Sequence, residues 1–190
     1  MLKHLFISKI RIKVLGKYME DITKSYHVRG LVRELDEEVN AIRRELLNLK
    51  RAGILVTRKE GNKIMYSVDK SCPIIWDLRS MFYKRSKVGK LLLERLEPVE
   101  GVKVGIVTEA FLKKKYEEPT DIDMLFIGNM KVRELSSVLS SIEKDLNRPI
   151  KYVAIKPEDF KFGKKKRDPI LINALIKDKI IVLGKDSDLL

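Results

Sequence analysis

Asp121 and Asp123 are two residues whose type and spacing could do metal chemistry. They open the stretch "DIDMLFIG" (121–128), two aspartates at i and i+2 running into apolar residues. In a strand, residues two apart point to the same face. The spacing therefore predicts two carboxylates side by side at the start of a buried strand, the makings of a metal site. Lys113, Lys114 and Lys115 precede the pair and could attract phosphate. Two bland roles compete with the metal: Asp121 as a cap on the turn before the strand, and Asp123 paired to a lysine, with Lys151 the candidate. Cys72 stands alone, so no internal disulfide and no cysteine cluster can form. With His4 and His27 it falls short of a metal-sensing set, and no metal is expected there.

A second set of residues could read DNA. Along "DEEVNAIRRELLNLKRAG" (36–53) the apolar seam is Val39, Ile42, Leu46 and Leu49. Steps of about 100° per residue then place Asn40, Arg44 and Arg51 opposite that seam, with Arg43 and Asn48 beside it. Arginine can bond guanine bidentately and asparagine can do the same for adenine. Arg58, Lys59 and Lys63 flank a Gly61-Asn62 hairpin tip, where they would meet phosphates or the minor groove. Asp36, Glu37 and Glu38 would repel phosphate unless they cap the helix, which is their expected use.

The elements that must position these groups follow from periodicity. The 190 residues suffice for one large or two small domains; 44% apolar and 35% charged is a globular composition. No apolar run approaches the roughly 20 residues of a membrane helix. "MLKHLFISKIRIKVLG" reads as an amphipathic helix rather than a secretion signal. The cytoplasm is the expected compartment, with no membrane partner. Glutamine is absent while Lys and Glu abound, a bias that fits a heat-adapted source. Residues 1–87 carry 20 Lys/Arg against 10 Asp/Glu and residues 88–190 carry 20 against 17, so the formal +13 reads as mostly N-terminal. A basic first half suggests a polyanionic partner.

Up to "KRSKVGK" (84–90) the pattern is helix (7–19), helix (27–35), helix (36–53), hairpin, and a helix from Pro73. That last helix holds more apolar residues than a domain this small easily buries: Ile74, Ile75, Leu78, Met81 and Phe82, with Trp76 and Tyr83 nearby. It packs on the first helix or the second domain, or forms a homodimer seam. After the break come a helix (91–96), strands at 102–107 and 121–128, a helix at 131–147, a strand at 149–155, a helix in "DPILINALIKD" and a strand at 179–184. Lys161–Asp168 ("KFGKKKRD") reads as a basic loop, either solvated or adding phosphate contacts. Strands alternating with helices argue for an α/β domain with a mixed sheet.

The stretch "LVRELDEEVNAIRRELLNLKRAGILVTRKEGNKIMYSV" resembles the ArsR-like winged-helix regulators, and the likeness covers roughly residues 5–87. It implies a winged helix-turn-helix, a double-stranded DNA partner and a homodimer. Residues 105–128, with "RPIKYVAIKPEDF" and "DPILINALIKDKIIVLG", resemble the minimal nucleotidyltransferases of the DNA polymerase β-like superfamily. That resemblance implies that Asp121 and Asp123 match a metal-binding pair, completed by a Gly-Ser turn and a third carboxylate. This chain has Glu109-Ala110 twelve and eleven residues before Asp121, and Lys151 where the third carboxylate belongs. A glutamate in the phosphate cradle and a lysine in a metal seat oppose the chemistry, since like charges about 4 Å apart repel by roughly 1 kcal/mol even in water.

The expected fold class is thus α+β / α/β with two domains. Residues 1–87 are a winged helix-turn-helix, and 88–190 a nucleotidyltransferase-like mixed sheet with flanking helices. The expected function is a DNA-binding transcription regulator whose second domain is a degenerate enzyme, with no catalytic residue, no metal and no cofactor. The alternatives are an active nucleotidyltransferase using Mg²⁺ on a protein or RNA partner, and a non-enzymatic module binding RNA or protein.

Overall fold

Residues 2–189 are described by a computed structural model, except for the side chains of Lys3 and His4. The potential ligand His4 therefore lies outside the described residues. The chain divides into two units, Met1–Tyr83 and Lys84–Leu190. With the boundary there, the first unit holds 17 Lys/Arg against 10 Asp/Glu and the second 23 against 17, net +7 and +6. The charge asymmetry expected from a break at residue 87 depended on Lys84, Arg85 and Lys87, so both units are basic.

The first unit starts with α1 (Leu2–Leu5) and α2 (Lys9–Glu20), not one N-terminal helix. Ser8 divides them: its hydroxyl accepts the Arg11 N–H at 3.1 Å, satisfying an amide that a helix start leaves without a partner. Ile7 stands outside α2, fully exposed. A two-residue strand, β1 (Ser25–Tyr26), follows; it is too short to leave a periodic signal. Then come α3 (Val28–Leu35), a turn over 36–38, and α4 (Val39–Arg51).

α4 stops where Gly53 adopts φ 71°, and the Ile54 amide returns to the Leu49 carbonyl at 3.0 Å while the Gly53 amide meets Lys50. These are the paired bonds of a Schellman ending, for which glycine has no Cβ penalty. β2 (Leu55–Glu60) and β3 (Lys63–Val68) pair antiparallel about the two-residue Gly61-Asn62 turn, with Glu60 opposite Lys63. β1 adds on the other edge of β3, in the order β1-β3-β2. α5 (Ile75–Arg85) closes the unit and starts two residues after Pro73, which lies in the preceding turn rather than in the helix.

One core holds these elements, and it contains Leu15 and Tyr18 of α2, Leu31 of α3, Ile42, Leu46 and Leu49 of α4, and Ile75 and Phe82 of α5. Each such side chain contributes about 1.5–3 kcal/mol through burial. The predicted seam of α4 is corrected at two places: Val39 is exposed, and Glu45 is buried beside Leu46. Leu78 and Met81 also pack on this core, which leaves Ile74 and Trp76 as the exposed apolar residues at the start of α5.

In the second unit α6 (Lys87–Leu96) precedes β4 (Val102–Thr108), α7 (Glu109–Lys113), β5 (Met124–Gly128), α8 (Val132–Leu146) and β6 (Tyr152–Ile155). α9 (Pro157–Lys166), α10 (Pro169–Ile176), β7 (Lys179–Leu183) and a 3-10 turn (Asp186–Leu189) complete it. The sheet order is β6-β5-β4-β7; β5 and β6 are parallel and the other pairs antiparallel. β5 is buried along its whole length, so both faces are covered. Leu125 and Ile127 join a core with Phe160 of α9 and Leu171 and Ala174 of α10, while Met124 and Phe126 point the other way.

The basic run expected as a loop at 161–168 is mostly α9. Pro157 occupies its first turn with Glu158 and Asp159, and three lysines fill its last turn, the charge order that the helix dipole favours. Arg167 turns left-handed at its end and Asp168 caps α10.

The Glu45 carboxylate ties α2 to α4. Arg11 Nε donates to it at 2.9 Å, and the carboxyl group is 4% exposed. Burial would raise its pKa, but Ser8, Arg11 and Asn48 outweigh this and hold it below the usual range. Replacing Arg11 with Ala removes the cation from a buried carboxylate, and chemical denaturation should register a loss of about 1–3 kcal/mol. An unchanged midpoint would mean that packing alone holds the two helices together.

Candidate functional site

Two surfaces must be placed: the outward face of α4 with its hairpin, and the carboxylates before β5. On α4, Asn40, Arg43, Arg44 and Arg51 are exposed, as are Arg58, Lys59 and Lys63 on the hairpin. Among the described residues none of the three α4 arginines forms a salt bridge. Arg58 does, with Glu60 two residues along. Strand alternation puts Arg58, Glu60 and Lys63 on one face of the hairpin and Lys59 on the other. The hairpin cations thus do not act as a single cluster. Asn48 is half-buried and hydrogen-bonds Glu45, so its side chain is engaged on the inner flank of the helix.

Leu47 was not singled out from the sequence. It is 39% exposed and lies within about 60° of Asn40, Arg44 and Arg51 on the helical projection, an apolar side chain amid the polar face. Of the acids at the start of α4, Glu37 and Glu38 each have a partner of their own. The Glu38 carboxylate accepts the Ala41 N–H at 2.8 Å, and backbone amides with Arg44 and Arg43 nearby pull its pKa down. Glu37 pairs with Lys13 at 2.5 Å rather than capping, Glu34 with Lys17 at 2.9 Å, and Asp36 is the left-handed end of α3.

In the second unit the aspartates stand before β5, not within it, so they do not share a strand face. Each is buried and has its own partners. Asp121 Oδ2 accepts the Glu117 and Glu118 amides at 2.7 and 2.9 Å. Its Oδ1 accepts Asn173 Nδ2 at 2.7 Å and Lys177 Nζ at 2.8 Å. Four donors fill the roughly four lone-pair positions of a carboxylate. Burial raises the Asp121 pKa, but Lys177, the two amides and Asn173 prevail and hold it well below the usual carboxylate range. The same bond raises the pKa of Lys177.

Asp123 is fully buried, and its cation is Arg148, not Lys151. Arg148 also lies over the Phe111 ring at 4.8 Å and donates to the Phe111 carbonyl at 3.3 Å. Tyr116 Oη donates to Asp123 Oδ2, and so does the backbone amide of Lys151, at 2.9 Å. The Lys151 side chain turns away and donates to the Pro119 carbonyl at 2.9 Å. Lys151 is therefore beside Asp123 through its backbone only. Arg148 and Lys177 were missed because each lies far from its aspartate in sequence and neither carries a local motif.

Glu109-Ala110 begins α7, and Glu109 pairs with Lys113 at 2.8 Å. Thr108, just before it, donates its hydroxyl to the Ile122 carbonyl. The cleft lined by Thr108, Glu109, Asp121, Asn173 and Lys177 measures about 10 Å³, roughly the room for one water. A site for a nucleotide-sized ligand needs about 300 Å³ or more. No group of three or more His, Cys, Asp or Glu side chains among the described residues could hold a metal ion. The groups around both aspartates are cations, amides and a phenol of the protein itself.

These partners make two predictions. Arg148→Met should cost about 3–5 kcal/mol, because it strands a buried carboxylate, whereas Lys151→Met should cost under about 1 kcal/mol; chemical denaturation compares them. The Asp121 pKa is depressed on folding, so its contribution is complete above its unfolded value near 4 and is lost as pH falls below that. Acid titration of stability should steepen below about pH 4, and Asp121→Asn should flatten that fall.

The sequence matches no protein-family model and no curated protein. Among solved structures, reduced HlyU from Vibrio cholerae N16961 is similar at 21% identity over 44% of this chain and 82% of that one, with a TM-score of 0.34. Similarity at that level is too slight to bear on fold or function, so the reading that follows rests on the geometry above.

Proposed function

We propose that the first unit is a winged helix-turn-helix that binds double-stranded DNA and that the chain is a transcription regulator. The observation that supports this best is the outward face of α4. Asn40, Arg43, Arg44 and Arg51 are exposed there, the arginines without a salt bridge among the described residues, on a helix whose other face is locked into the core by Ile42, Leu46, Leu49 and the Glu45–Arg11 pair. A protein gains no stability from four unpaired polar side chains on one face, but base edges in a major groove would use them. The pairing of Glu34 and Glu37 with lysines of α2 removes the charges that would repel a phosphate backbone. From the hairpin, Lys59 on one face and Lys63 on the other supply phosphate contacts, with Arg58 joining Lys63 where a phosphate displaces Glu60. Leu47, amid the polar face, suits the methyl group of thymine.

In the same reading the second unit is a degenerate nucleotidyltransferase fold without catalysis. Its mixed sheet, and a lysine standing next to Asp123 at the predicted third-ligand position, agree with that descent. The filled hydrogen bonds of Asp121 and the one-water cleft argue against transfer chemistry. Homodimerisation, with Ile74 and Trp76 in the seam, belongs to the same proposal.

Duplex selection from a random library should return a preferred site, with log K falling linearly against log salt. Arg43→Ala and Arg44→Ala should each weaken the selected site by about 1–3 kcal/mol and relax its sequence preference. Equal binding to all duplexes by the unaltered chain would refute base readout. Replacing a selected thymine by deoxyuridine removes one methyl and should weaken binding about 4-fold, with no effect in Leu47→Ala.

A further inference from the structure

α9 carries a surface that neither the α4 face nor the aspartate networks use. Phe160 anchors the helix in the sheet core at 3% exposure. On the outer side Phe162 is 63% exposed, with exposed Lys165 and Lys166 one turn further on and exposed Lys161 and Arg167 in the same basic stretch. Lys166 Nζ lies 5.7 Å from the centre of the Phe162 ring. None of these four cations forms a salt bridge among the described residues. Exposed Glu158 and Asp159 lie one turn before Phe162 and form no salt bridge among the described residues either, so the ring stands between an acidic first turn and a basic last turn, and a phosphate backbone can follow only the C-terminal side. An exposed aromatic ring with cations on its C-terminal side offers stacking and phosphate attraction together.

We propose that this face of α9 binds single-stranded nucleic acid, stacking an unpaired base on Phe162 while the cations follow the backbone phosphates. Bases in a duplex already have both faces covered by their neighbours, so the ring can be used only by an unstacked base. A membrane is the poorer partner. The apolar face of α9 is occupied by the core, and one outward ring gives too little apolar area for insertion. Because the residues lie entirely within the second unit, the proposal does not depend on duplex reading by the first.

Phe162→Trp in the full chain provides the test. A fluorescein-labelled twelve-nucleotide oligouridine and its oligothymidine counterpart are titrated in parallel, and their ratio tells RNA from DNA. Binding should quench the indole emission gained over the parent chain, with affinity falling as salt rises. In the otherwise unaltered chain, Phe162→Ala should weaken oligomer binding roughly 5–150-fold, and Lys165→Glu with Lys166→Glu should abolish it. Arg43→Ala with Arg44→Ala should lose the duplex and keep the single strand. Undiminished binding by Phe162→Ala would overturn the proposal. So would quenching by phosphatidylserine vesicles without quenching by either oligomer, or loss of the single strand in the Arg43/Arg44 variant.

Discussion

A carboxylate taken out of water must be met by donors and a cation within the protein, and three buried acids impose that demand here. Glu45 takes Arg11, Asp121 takes Lys177 with Asn173 and two backbone amides, and Asp123 takes Arg148 with Tyr116 and the Lys151 amide. Each pairing joins elements distant in sequence. Arg11–Glu45 fixes α4 against α2, Lys177–Asp121 joins the end of α10 to the loop before β5, and Arg148–Asp123 joins the end of α8 to the same loop. Breaking such a pair leaves an uncompensated charge in a poor solvent, which is why it governs the local fold more firmly than a surface ion pair does.

The same bonds govern what the chain can do. A metal-binding carboxylate needs free lone pairs and a companion aimed at the same point. Asp121 and Asp123 have separate donor sets with no side chain in common, and the cleft beside Asp121 has room for about one water. In the first unit the consequence is the opposite. Internal pairing of Glu34, Glu37 and Glu45 with cations of α2 reduces the negative charge around α4, whose arginines form no salt bridge among the described residues. The exposed arginines of α4, and Lys165 and Lys166 of α9, stand outside any salt bridge among the described residues.

Much of this could be read from the residues alone. The helical seam of Ile42, Leu46 and Leu49, the Gly53 stop, the Gly61-Asn62 turn and the apolar run 124–128 are local patterns, and each produced the expected element. The failures share a cause. Whether Asp121 and Asp123 lie in a strand or before it depends on hydrogen bonds from Glu117, Glu118 and Thr108, none of which periodicity reports. The alignment points to Lys151 for Asp123, but Arg148, three residues earlier, holds that carboxylate while its guanidinium lies on Phe111. Glu45 was missed because a charged residue at a seam position looks like a flank until Arg11 is seen beside it. The run at 161–168 looked like a loop by its lysines, yet Pro157 and the acids after it make a sound helix start.

The central claim is that the two aspartates are committed to cations of the protein and not to metal-bound nucleotide. Electron paramagnetic resonance of Mn²⁺ titrated into the full chain with ATP tests it most directly, since bound and free Mn²⁺ give separable signals. The account predicts no stoichiometric Mn²⁺ retained by the chain beyond that held by ATP alone. One or two Mn²⁺ per chain, lost in Asp121→Asn, would contradict it.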